Sequence, residues 1–273
     1  MSAPDLPIAL LDSGVGGLTV LHEFLVSLPS ENYLYLGDSA YFPYGTKSQA
    51  ELRGRVAGNL GYLIERGAKL LVLACNSAAT AALEPARELA EAAGIGLVAV
   101  IEPEAEIAAT ISASGRIGVL ATPATVRGGG YRRALNAQGR GLTVTEVAAP
   151  DLAPIIEQGF PFSDDVVETV RGYVAPLRDA AIDTLILGCT HYPLVAPMLQ
   201  RMLGRDVRLV TAGHAIAAAA QRRLEADGTL IGDGPEGTYS FICSGDPDRF
   251  RELGTRFLQL PLGAVEQVAT IPT

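Results

Sequence analysis

Residues 70–79 read LLVLACNSAA and residues 184–193 read TLILGCTHYP. Each segment is an uninterrupted apolar run that ends in a cysteine, then a small polar residue, then a stretch able to start a helix. An apolar run without alternation is the pattern of a strand covered on both faces, as in a parallel sheet between helix layers. Cys75 and Cys189 stand 114 residues apart in these matching settings. The repetition predicts two similar α/β halves that face each other.

Further apolar runs at 8–11, 33–36, 97–101, 117–121, 142–147 and 207–210 extend the reading along the chain. They alternate with helical stretches, so the fold class is α/β, with two similar domains, mostly parallel sheets and the active site in the cleft between them. One connecting helix is legible in detail: Ser48 and Glu51 form a capping box, Leu52, Val56, Leu60 and Leu63 follow at helical spacing, and Gly67 stops it. No long polar linker divides the chain. By hydrophobic pattern the crossovers fall near Ala99 and Val207, which assigns 1–98 plus 208–273 to a discontinuous first domain and 99–207 to the second.

Composition narrows the function. The 273 residues are 48% hydrophobic, enough for a sizeable core, and carry a net charge of −9. That charge argues against nucleic acid or an anionic membrane as the partner. No apolar run is long enough to span a bilayer, and the first residues lack the pattern of an export signal. Three widely spaced cysteines suit thiols in a reducing cytoplasm.

In open α/β sheets, ligands bind beyond the carboxyl ends of strands, where helix amino termini present free N–H groups. Cys75 and Cys189 are both expected there, with thiol pKa values lowered by the helix dipole. A single buried cysteine more often packs than reacts. The pair reads differently, because Asn76 and Ser77 follow one and Thr190 and His191 the other. Cys243, in TYSFICSGD, has no such neighbours and reads as a packed strand residue.

The turn from Asp12 and Ser13 through Gly14, Gly16 and Gly17 resembles a dinucleotide fingerprint, but Thr19 holds the third glycine position. What remains is a glycine turn with exposed N–H groups, or a helix cap. A second loop, YLGDSAYFPYG at 35–45, offers Tyr44 and Gly45 as N–H donors to a carboxylate, or a rigid turn. Thr122 and Thr125 are hydroxyl donors or helix caps. A pyridoxal phosphate Schiff base needs a lysine, and Lys47 and Lys69 both lack the setting. His22, His191 and His214 are isolated, so no metal ligand set forms. The chemistry is expected to run on side chains alone, with no cofactor.

DSGVGGLTV, GDSAYFPYG, ACNS, ATPAT and GCTHYPL, in this order along the whole chain, resemble the glutamate racemases of the aspartate/glutamate racemase superfamily. The resemblance implies interconversion of L- and D-glutamate by proton transfer at Cα, with D-glutamate supplied to peptidoglycan synthesis. It implies Cys75 and Cys189 as the two acid/bases, Asp12 assisting the first, and His191 with Glu157 assisting the second. Asp12, Ser13, Tyr44, Gly45, Asn76, Ser77, Thr122, Thr125, Thr190 and His191 would hold the substrate. His191 after Cys189 and Thr190 favours glutamate, since the aspartate racemases of the superfamily typically carry an acidic residue at that position. Racemisation of aspartate or another acidic amino acid, a one-cysteine decarboxylation, and a non-catalytic amino-acid sensor are the alternatives. A homodimer is a candidate assembly. Ser77 and Ala79 replace the family's more usual Thr and Ser, and Gly128, Gly129 and Gly130 form a run to which the sequence assigns no role.

Overall fold

The computed structural model describes residues 3–160 and 163–268. Among these residues, ten strands form two sheets. β1 (Ile8–Asp12), β2 (Tyr33–Gly37), β3 (Leu70–Leu73), β4 (Gly96–Ala99), β9 (Tyr239–Cys243) and β10 (Val265–Gln267) make the first, in the order β10-β9-β2-β1-β3-β4. β5 (Arg116–Ala121), β6 (Thr143–Ala148), β7 (Thr184–Gly188) and β8 (Arg208–Val210) make the second, in the order β6-β5-β7-β8. Every pairing is parallel. The fold class is therefore α/β with two parallel sheets, as the uninterrupted apolar runs predict. β1, β2, β3 and β7 are buried at every residue because helices cover both faces.

The helices are α1 (Leu18–Ser27), α2 (Gln49–Glu65), α3 (Asn76–Ala92), α4 (Ile101–Ile111), α5 (Pro123–Gly128), α6 (Gly130–Asn136), α7 (Leu152–Glu157), α8 (Asp164–Asp179), α9 (Ala196–Leu203), α10 (Gly213–Ala226) and α11 (Pro247–Leu258). The capping box of α2 forms as read: Ser48 Oγ accepts from the Glu51 N–H at 3.2 Å, and the Glu51 carboxylate accepts from the Ser48 N–H at 2.9 Å. Gly67 follows at φ +85°, a left-handed position that ends the helix without Cβ strain.

Two details differ from the sequence pattern. Ala99 closes β4 in the first sheet, and Arg208–Val210 pair with β7 in the second. The run 97–101 is also shorter as a strand, because Ile101 opens α4. The glycine run finds an explanation. Gly129 adopts φ +63° between α5 and α6, while a Cβ on Gly128 or Gly130 would meet Thr80 of α3 at 2.3 and 2.7 Å. The run turns the chain and lets α3 approach closely. Among the described residues, no helix is long and apolar enough to cross a membrane.

Candidate active site

Five strands end at one place. β1 delivers Asp12 and Ser13, β2 leads into the 39–45 loop, β3 ends before Cys75, β5 before Thr122, and β7 before Cys189. The first three belong to one sheet and the last two to the other, so the carboxyl ends of the two sheets face each other across a cleft.

Cys75 is the N-cap residue of α3, and Asn76 and Ser77 form that helix's first turn. Ser77 Oγ lies 2.8 Å from Thr122 Oγ1 and 3.3 Å from Thr125 Oγ1, which joins the two units through hydroxyls. Thr122 also caps α5 by accepting from the Thr125 N–H, which is the helix-cap reading of this threonine. Cys189 sits on a tight turn that leads into a 3-10 helix, Tyr192–Val195, rather than directly into an α-helix. Its Sγ is 3.9 Å from His191 Nδ1. His191 Nε2 is 3.0 Å from Glu157 Oε1, at the end of α7, and the ring packs between Phe42 and Phe257 at 5.4 and 5.0 Å. The structure thus places Cys189, His191 and Glu157 in one line.

Asp12 is fully buried. Its carboxylate accepts from the Gly14 N–H at 3.0 Å and from Thr190 Oγ1 at 3.3 Å, a bond that crosses the cleft. Gly16 brings the two loops together. A Cβ there would stand 2.3 Å from Thr190 Oγ1 and 2.4 Å from His191 Nδ1, so only glycine permits the contact. Behind the 39–45 loop, Asp38 accepts from Arg55 Nε and Nη2, Tyr44 Oη, Asn59 Nδ2 and Ser244 Oγ. This buried network fixes the turn that carries Tyr44 and Gly45.

One small pocket is lined by Ser13, Tyr44, Gly45, Cys75, Asn76, Ser77, Thr122, Cys189, Thr190 and His191. Asp12, Thr125 and Glu157 stand one layer behind it, bonded to Thr190, Ser77 and His191 respectively. Phe42, Pro43 and Ala153 complete the wall and carry no polar signal in the sequence. The cavity is about 20 Å³, room for about one water.

A sequence model of the Asp/Glu/Hydantoin racemase family matches residues 22–220. A glutamate racemase from Roseiflexus sp. (strain RS-1) is 43% identical over 263 residues, 96% of this chain and 95% of its own. The chain belongs to the glutamate racemase family. Among solved structures, a glutamate racemase isoform from Bacillus anthracis aligns with a TM-score of 0.91 at 35% identity, over 98% of this chain and 99% of its own. The glutamate racemase of Francisella tularensis subsp. tularensis SCHU S4, solved in complex with D-glutamate, gives 0.90 at 30% identity, over 97% and 98%.

In this member of the glutamate racemase family the two thiols do not follow the dipole argument. Burial pushes Cys75 up to about 12, and the neighbouring Asp12 adds to the rise. Burial likewise pushes Cys189 well above its ordinary value, with the His191 N–H pulling it partly back. Desolvation of a buried thiolate outweighs the helix terminus at Cys75, and Cys189 has no α-helix terminus directly after it. Burial also raises Asp12, against the lowering influence of His191.

Proposed function

We propose that this protein interconverts L- and D-glutamate by a two-base transfer between Cys189 and Cys75, without an added cofactor. The observation that carries the reading is the position of the two sulfurs. They come from facing sheets and line the same pocket, among hydroxyl and amide groups able to hold an amino acid's carboxylates. The units built on the two sheets act as the two halves of a cleft that closes on substrate.

With L-glutamate, the Cys189 thiolate takes the Cα proton and becomes a thiol. The electron pair delocalises into the α-carboxylate, and Cys75 delivers its proton to the opposite face. D-glutamate then leaves behind a Cys75 thiolate and a Cys189 thiol, and the reverse direction exchanges the roles. A high thiol pKa is useful here, because the conjugate base must compete for a weakly acidic Cα proton. Asp12 beside Cys75, and His191 held by Glu157 beside Cys189, accept the thiol protons that must leave before each abstraction. N–H groups of Ser77 and Ala78, with the Ser13 hydroxyl, favour the Cys75 thiolate. Three free cysteines suit a reducing cytoplasm, where the D-glutamate would serve peptidoglycan synthesis.

Purified protein incubated with L-glutamate and a chelator, with no pyridoxal phosphate, should yield an equal mixture of enantiomers by chiral chromatography. A requirement for added pyridoxal phosphate, or equal kcat/KM for aspartate, would overturn the assignment.

A further inference from the structure

A second cavity, of about 150 Å³, borders the cysteine pocket, and Asn76, Cys189 and Thr190 line both. These three residues are the wall between them. On the far side of that wall is Glu104, from α4, with no exposed surface.

Both Asn76 Nδ2, at 3.2 Å, and Tyr131 Oη of α6 donate to Glu104 Oε2. Asn76 Nδ2 also donates to Tyr131 Oη at 2.6 Å. The other oxygen, Oε1, has no hydrogen-bond partner among the described residues. The titratable groups around this carboxyl include Tyr131, bonded to it, Cys189, and, lining the same cavity, His22 and Glu23 of α1. No lysine or arginine lines the cavity among the described residues. A buried carboxylate with no cation in its cavity is costly, and protonation removes the larger, ionic part of that cost: two donors occupy Oε2, so the proton belongs on Oε1, which leaves only a neutral O–H without a partner.

We infer that Glu104 is a positioning residue for racemisation: as a neutral acid it anchors Asn76 in the wall beside both cysteines and keeps negative charge away from Cys189 while that thiol ionises. The inference rests on the reading of Cys189 as a base. Burial pushes the Glu104 carboxyl up to about 8, against the hydrogen bonds from Tyr131 and Asn76. As pH rises through that value the residue loses its proton, and a buried carboxylate close to Cys189 disfavours the thiolate.

Kinetics of Glu104→Gln and Glu104→Ala test it across the pH range. Glutamine reproduces the neutral acid, since its carbonyl accepts from Asn76 and Tyr131 and it never ionises. Its kcat/KM should therefore stay within about threefold of wild type near pH 7 and exceed wild type by about threefold near pH 9. Alanine leaves Asn76 unanchored and should lose about tenfold near pH 7. Wild-type and Glu104→Gln profiles that superimpose above pH 8, or a glutamine variant as impaired as alanine near pH 7, would overturn the inference. If the alanine variant does not fold, the alkaline limb of Glu104→Gln decides alone. Racemisation that survives in Cys189→Ala would instead overturn the two-cysteine reading beneath it.

Discussion

Replacing Gly16 by alanine adds one methyl group where the two units touch. That methyl would stand 2.3 Å from Thr190 Oγ1 and 2.4 Å from His191 Nδ1, against an optimal separation of about 3.5 Å, so something must move by about 1 Å. His191 cannot yield by itself, because Glu157 holds its Nε2 and two aromatic rings bracket it. Thr190 can, but its hydroxyl bond to Asp12 is already 3.3 Å long and would break. The displaced atoms belong to the two residues that follow Cys189. A 1 Å error near reacting groups costs about 10²-fold in rate, and overpacking costs about 1–3 kcal/mol of stability. Alanine at a position without positive φ returns about 0.4–1 kcal/mol through the unfolded chain, so the melting temperature should fall by only a few degrees. Racemisation is measured from each enantiomer by chiral chromatography and unfolding by circular dichroism. The enantiomers are equal in free energy, so kcat/KM must drop by the same factor in both directions. Wild-type kcat/KM in Gly16→Ala would refute the claim that this contact sets the closed geometry.

Cys75→Ser and Cys189→Ser should each lose racemisation by orders of magnitude, since a hydroxyl is a poor base near neutral pH. With threo-3-chloroglutamate, which expels chloride once the Cα proton leaves, Cys75→Ser should process the L-configured isomer and Cys189→Ser the D-configured one; elimination from the same isomer by both would refute the opposed-base arrangement. Asp183 offers a stability test. Burial acts against its ionisation, but hydrogen bonds from Ser112 and Ser114 hold the carboxyl below its usual range. Its contribution is therefore present above the unfolded pKa of about 3.9 and lost as pH falls through the depressed folded value, so the melting-temperature gap between wild type and Asp183→Asn should shrink in acid. A gap constant with pH would refute it.

The strands that carry the site were legible because burial on both faces leaves an uninterrupted apolar run, and the cysteines stood out by repeating at the ends of two such runs. β10 left no such mark: Val265–Gln267 is a three-residue edge strand, mostly exposed. The thiol pKa directions were misread because the sequence shows a helix start but not the depth at which it lies. Phe42 and Ala153 escaped notice because apolar wall residues carry no chemical signature. The charged partner of Asp38 is Arg55, on a helix 17 residues on, where an arginine reads as solvated surface. Glu104 was hidden likewise, as one acidic residue in a helix that also carries Glu102 and Glu106.

The strand order also governs when the molecule can be completed during synthesis. Tyr33 of β2 pairs with Tyr239 of β9, a partner that leaves the ribosome 206 residues later. All four strands of the second sheet lie within 116–210 and have met their neighbours by then. Until β9 arrives, β2 is an open edge with five buried positions in its sequence. An edge of that kind is a template for another chain. A nascent copy of this protein is therefore most exposed to mispairing just before Tyr239 emerges, and a deletion that removes Tyr239–Cys243 would make that transient edge permanent.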